Sequence, residues 1–152
     1  MSYQIAYDTT LAPPRAAAIV SFMEDFYRTS DTESLHEKYV ASFTEDATLI
    51  MGPKEAKGKD EILPLRHGLW THVASRHHTA SRIFFGGPNE IMLYGGVKYT
   101  LKADASKEVH VPWAGRVVFA PEKEGEGVKM QFYQVYLVRI HSGFWDIGIS
   151  DG

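Results

Sequence analysis

Two adjacent histidines, His77 and His78, are the residues of this sequence best suited to chemistry. An imidazole titrates near neutrality, which fits general acid or base work. In an extended strand neighbouring side chains point to opposite faces, so one of the two enters any interior site and the other leaves it. The order of residues does not say which. Tyr99, Tyr133 and Tyr136 carry hydroxyls that can donate to a carbonyl or enolate oxygen, and Trp113 can form a wall beside them. Side chains on opposite faces cannot chelate one metal ion. His67, His72 and His77 also lack the i, i+4 spacing of a helical metal pair, so no metal is expected. With no cysteine there is no thiolate ligand, no thiol nucleophile and no disulfide. Phosphate-binding and serine-nucleophile motifs are missing, and Gly95-Gly96 reads as a bend in a strand because no helix start follows it. No cofactor is expected.

The chain that positions these groups has 152 residues, enough to bury a sizeable core without staples. Its net charge of -3 is mild, and no run of Lys and Arg points to nucleic acid or an anionic membrane. No apolar stretch is long enough to span a bilayer, and the N-terminus lacks the pattern of a signal peptide, so a cytoplasmic protein is expected. Eight Tyr, eight Phe and three Trp can supply both a core and an aromatic-lined cavity.

Periodicity then divides the chain. Residues 1–13 read as an unanchored lead-in, 14–141 as one domain and 142–152 as a tail that docks through Phe144, Trp145 and Ile147. Ile19, Val20, Met23, Phe26 and Tyr27 recur at helical spacing over 14–29. Ser30 and Glu33 make a capping-box pattern for a second helix over 31–43, with Leu35, Tyr39 and Phe43 on one face. Ala47–Met51 reads as a short strand, 54–59 as a charged loop and 60–74 as a third helix whose face includes Ile62, Leu65, Leu69 and Val73. From residue 76 the period becomes two. Segments 76–86, 90–103, 108–120 and 128–141 are separated by turn-forming residues and predict a meander of antiparallel strands. Helices first and strands after them make an α+β domain.

Alternation sorts the strand faces. Val109, Val111, Trp113, Val117 and Phe119 share one side, and Ile91, Leu93, Val97, Tyr99 and Leu101 another. Both sets are expected to face the core. In 76–86 the expected inward set is His77, Thr79, Ser81, Ile83 and Phe85, because the alternative places Arg76 and Arg82 inside. In the last strand the two sets are equally apolar and stay unresolved.

Four pieces of sequence carry a resemblance: the three-helix start, Phe-Thr-Glu-Asp-Ala-Thr-Leu leading into a short strand, Gly-Lys-Asp-Glu-Ile at the third helix, and Phe-Tyr-Gln-Val-Tyr-Leu in the last strand. Together they resemble SnoaL-like members of the NTF2-like superfamily over residues 14–140. The resemblance implies a cone-shaped fold, three helices packed on a curved antiparallel sheet that forms a barrel. It implies a pocket for a small, largely apolar, ring-containing molecule. It also implies a choice among isomerase, dehydratase and cyclase chemistry, or a non-catalytic binding or assembly module. Set against scytalone dehydratase, the helix-one tyrosine falls at Tyr27 and the first pocket histidine at His77 or His78. A second tyrosine would fall at Ala47 or Thr48 and is missing, which argues against that dehydration mechanism. A ketosteroid-isomerase base would fall at Asp46, a residue that equally suits a turn. The expected site is therefore His77 or His78 as the proton carrier, with Tyr27, Tyr39, Tyr99, Trp113, Tyr133 and Tyr136 around the substrate. A homodimer is expected through the outer sheet face, where Met92, Tyr94, Pro112 and Val118 mix with Lys98, Lys102 and Arg116.

Overall fold

The computed structural model describes residues 2–137. In chain order the elements are β1 (Ala6–Tyr7), α1 (Ala16–Ser30), α2 (His36–Ala41), β2 (Phe43–Met51), β3 (Lys54–Lys57), α3 (Lys59–Gly68), β4 (Val73–Gly87), β5 (Glu90–Leu101), β6 (Asp104–Phe119) and β7 (Met130–Leu137). This is the α+β arrangement, with one curved sheet in the order β1-β4-β5-β6-β7-β2-β3. Among the described residues the sheet does not close: β1 and β3 are its edges, so it is not the barrel expected from the resemblance. β4 through β7 form the expected antiparallel meander, while β2 joins β7 and β1 joins β4 in parallel.

The first helix follows its apolar spacing. Ile19, Val20, Met23, Phe26 and Tyr27 are all buried. Its aromatic rings dock on the sheet, with Phe22 edge-on to Phe119, Phe26 edge-on to Tyr133, and Tyr27 against Trp113. The second helix is shorter than its pattern. Ser30 does not cap it; it is the last residue of α1, and the cap position of α2 is Leu35. The third helix stops at Gly68, so Val73 opens β4 instead of closing α3.

Both sheet edges differ from expectation. Residues 54–57 form a strand despite their charges, and an edge strand with Lys and Glu pointing to water resists pairing with other chains. The lead-in is anchored. Ile5 is buried, its N–H donates to Glu24 Oε2 at 2.8 Å, and β1 pairs with Arg82 and Ile83. Segment 104–107, expected as a turn, opens β6.

The expected core faces of β5 and β6 are observed, and β7 resolves with Tyr133 and Val135 buried. Strand β4 corrects the sequence reading. Its register shifts near Ala74 and again near Ser81. Arg76 is buried and His78 lies on the same face, then Ile83 resumes the buried side, while Arg82 stays exposed. A β-bulge inserts one residue and inverts the alternation beyond it. His77 and Thr79 therefore point outward. The second shift leans on Gly95: a Cβ there would lie 1.9 Å from the Thr79 carbonyl oxygen. Positions 138–141 of the last expected strand, and the tail at 142–152, lie outside the described residues. No helix among the described residues is long and apolar enough to cross a membrane.

Candidate active site

Asp31 is the C-cap residue of α1, one helical turn beyond Tyr27. That spacing puts both side chains over the same part of the sheet, where β4 presents His78 and β6 presents Trp113. The Asp31 side chain is only 3% exposed. Its Oδ1 lies 2.6 Å from His78 Nδ1, and its Oδ2 accepts the His78 backbone N–H at 2.7 Å. Tyr3 from the lead-in donates its hydroxyl to Oδ2 at 3.0 Å. Arg76 Nε sits 3.9 Å from Oδ1. A buried carboxylate supplied with several donors stays ionised. Burial pushes the Asp31 carboxyl up, but the hydrogen bonds and charge of His78, its backbone N–H and Tyr3 outweigh it and leave it below the ordinary range.

His78 is held in one orientation. Its ring is 16% exposed, it lies 5.1 Å from the Tyr27 ring and 5.8 Å from Trp113, and the latter two are 5.3 Å apart. Burial lowers its pKa more than Asp31 raises it, so the imidazole is neutral at pH 7. With an ionised carboxylate at Nδ1, the neutral ring carries its proton there, and Nε2 is the basic atom. Nε2 has no hydrogen-bond partner among the described residues.

The surrounding polar groups have donors to spare. Tyr27 and Tyr133 hydroxyls lie 3.0 Å apart, so one O–H serves the pair and the other has no acceptor among the described residues. Burial raises both phenol pKa values far above the ordinary range, so both keep their protons. Trp113 Nε1 is buried without an acceptor among the described residues. A base with a free lone pair beside two unused donors is an arrangement for a molecule that gives up a proton and carries an oxygen. No cluster of three or more metal-ligating side chains occurs among the described residues.

By sequence, neither a protein-family model nor a protein of curated function matches the chain. Solved structures match by fold. A candidate aromatic ring hydroxylase from Novosphingobium aromaticivorans superposes with a TM-score of 0.75 at 19% identity, covering 87% of this chain and 94% of its own. Nuclear transport factor 2 from Cryptosporidium parvum gives 0.67 at 14% identity, covering 84% and 98%. A type 2 hexachlorocyclohexane dehydrochlorinase gives 0.63 at 17%, covering 81% and 84%. The fold is NTF2-like.

Within this NTF2-like fold the residues singled out from sequence separate. His78, Tyr27, Trp113 and Tyr133 come together. Tyr99 is buried next to Arg76, whose guanidinium carbon lies 5.9 Å from its ring. Tyr39 belongs to the core: its ring lies under Arg66 at 4.7 Å, and burial pushes its hydroxyl up to about 12. Two residues fall on the wrong side of the sheet. His77 lines a groove on the outer face, and Tyr136, 43% exposed, bonds Gln134 there. Strand alternation is the reason in both cases, after a bulge for His77. Asp46 is exposed beside Arg116 and Gln131 and takes no part.

The candidate site also includes residues that sequence reasoning missed: Asp31, Tyr3 and Arg76. The signal for Asp31 was its i+4 relation to Tyr27. It was obscured because Ser30-Asp31 also reads as a helix start.

Proposed function

We propose that the protein is a proton-transfer enzyme, an isomerase or lyase, acting on a small, largely apolar, ring-containing molecule with a carbonyl oxygen. The observation that carries this reading is the 2.6 Å contact between Asp31 Oδ1 and His78 Nδ1, which leaves a neutral Nε2 without a partner among the described residues. In the proposed step Nε2 takes a proton from the carbon next to the carbonyl. The electron pair of the broken C–H bond moves onto the oxygen, giving an enolate. The spare phenolic O–H of the Tyr27–Tyr133 pair and the Trp113 Nε1–H donate to that oxygen, and Asp31 balances the imidazolium. The proton then returns to a different carbon, or the enolate collapses and expels a leaving group that receives it. Side chains alone can carry this sequence. The dehydrochlorinase neighbour acts, by its name, on a ring compound, which supports the same class of substrate here.

The reading is tested with 2-tetralone in D2O, following loss of its α-proton signals by NMR. Wild type should exchange them faster than buffer, and His78→Ala should lose roughly 100-fold or more of that rate. Equal rates for the two proteins would sink it. A bound ketone with no accelerated exchange would make this a binding module.

We also propose that two copies pair through the outer sheet face. Phe84, Met92, Tyr94 and Tyr136 stand there 41–52% exposed. Phe84 and Tyr94 already stack on each other at 6.2 Å, giving a ready apolar patch. Light scattering should return a dimer mass at tens of micromolar, and Tyr94→Glu should return a monomer.

A further inference from the structure

The hydrogen bond from Tyr3 to Asp31 comes from the part of the chain that local sequence marks least. We propose that Tyr3 is a positioning residue of the Asp31–His78 pair, so that the lead-in segment is part of the site. This rests on the proton-transfer reading given above.

The lead-in holds the Tyr3 hydroxyl in place by several independent contacts. Ile5 is 4% exposed, and its N–H is bonded to Glu24. β1 is paired to β4, and Tyr7 meets Phe85 edge-on at 6.0 Å. The Arg28 guanidinium covers the Tyr3 ring at 5.2 Å, and the ring of His77 lies 4.9 Å away on another side.

Proton bookkeeping fixes the direction of each bond. Tyr3 OH is 3.0 Å from Asp31 Oδ2 and 3.1 Å from His77 Nδ1. An ionised carboxylate can only accept, so the phenolic proton goes to Oδ2. His77 must then donate through Nδ1–H to the Tyr3 oxygen. An ordered chain results: His77 donates to Tyr3, Tyr3 donates to Asp31, and His78 donates to Asp31 from the other side. Its outer end lies in a groove of about 450 Å³ on the far side of the sheet from His78.

The consequence for the dyad is geometric. Two donors, Tyr3 O–H and the His78 backbone N–H, hold Oδ2. A carboxylate fixed at one oxygen cannot swing about its own axis, so Oδ1 remains opposite Nδ1. Without Tyr3 that restraint is halved, and the remaining charge on Asp31 is less dispersed. A less satisfied carboxylate holds an imidazolium more strongly. The titratable groups acting on His78 are Asp31 and Tyr27 from α1, and Arg76 and His77 from its own strand. Only Asp31 bonds Tyr3 directly among those that contact the His78 ring.

The test compares Tyr3→Phe with wild type. The substitution keeps the ring packing on His77 and Arg28 and removes one oxygen. Two readouts are taken: NMR titration of the His78 ring, and tetralone exchange kinetics. The expected result is a His78 titration moved to higher pH, with kcat about tenfold lower and KM unchanged. His77→Phe should move both in the same direction by less, and Gln4→Ala should move neither. An unmoved His78 titration together with unchanged kcat in Tyr3→Phe overturns the proposal. If His78→Ala alone abolishes exchange in that case, the proton-transfer reading stands without Tyr3. If no protein accelerates exchange, that reading fails, and the His78 titration still decides whether Tyr3 acts on the dyad.

Discussion

The two faces of strand β4 carry the same side chain one residue apart and put it to different uses. Inside, His78 is clamped by a buried carboxylate, flanked by two aromatic rings and stripped of most of its water. Outside, His77 keeps a hydrogen bond to Tyr3 and lines a groove beside Lys98 and His110. The intrinsic chemistry of the two rings is identical. The two side chains are almost equally covered, 16% exposed for His78 and 19% for His77, but only His78 bonds the Asp31 carboxylate directly and lies against Tyr27 and Trp113, which teaches that position in the pleat outranks residue type.

The sharpest way to break this comparison is to exchange the two fates. His78→Ala should lose roughly 100-fold or more in tetralone exchange, and His77→Ala a few-fold at most. Equal losses would mean that the faces are not distinct. The pleat itself is tested by the two glycines of β5 that pair with Thr79 and Ala80, just beyond the histidines. Gly95→Ala drives a methyl group into the Thr79 carbonyl and should cost about 2–3 kcal/mol in urea unfolding. Gly96→Ala, whose nearest neighbour would be 3.9 Å away, should change stability by about 0.5 kcal/mol or less. Among the tyrosines, Tyr133→Phe removes the partner of Tyr27 and should slow exchange roughly tenfold. Tyr136→Phe, on the outer face, should leave it unchanged.

The pH dependence gives the smallest effect and the finest discrimination. His78 acts as a neutral base, and burial lowers its pKa. Activity should be level through neutral pH and should fall only below the ordinary imidazole range. Stability follows the same sign. His36 and His78 both have pKa values below those of the unfolded chain, mainly through burial. As pH falls, the unfolded state takes up protons first, so stability present above about 6.5 is lost toward the folded values. Urea midpoints measured at several pH values between 7.5 and 5.5 should decrease steadily.

Long periodic stretches were legible from the residues alone. The first helix, the four-strand meander and the inward faces of β5 and β6 follow directly from spacings of 3.6 and 2. What stayed hidden had physical causes. The bulge near Ser81 in β4 reversed the expected face of His77, and the expectation that arginine avoids the interior hid Arg76. That residue is buried because its guanidinium donates to the Leu69 and Ser30 carbonyls and lies over the Trp70 ring at 4.3 Å. β1 and β3 are too short and too polar to show a period; pairing with a longer neighbour makes them strands. Asp31 and Tyr3 meet only through tertiary structure, 28 residues apart.

The location of Asp31 at the end of α1 has an electrostatic consequence. Peptide dipoles sum along a helix so that its last carbonyls carry partial negative charge, and a carboxylate there is repelled. Two guanidinium groups answer that repulsion. Arg66 donates to the Ser30, Thr29 and Thr32 carbonyls, and Arg76 donates to Ser30 as well. Burial lowers the Arg66 pKa only to about 10, so it remains a cation at neutral pH. The acidity of the carboxylate that orients the base is therefore set partly by a side chain that forms no hydrogen bond with it. Anyone wishing to retune the strength of this base without altering the walls of its site would begin at Arg66.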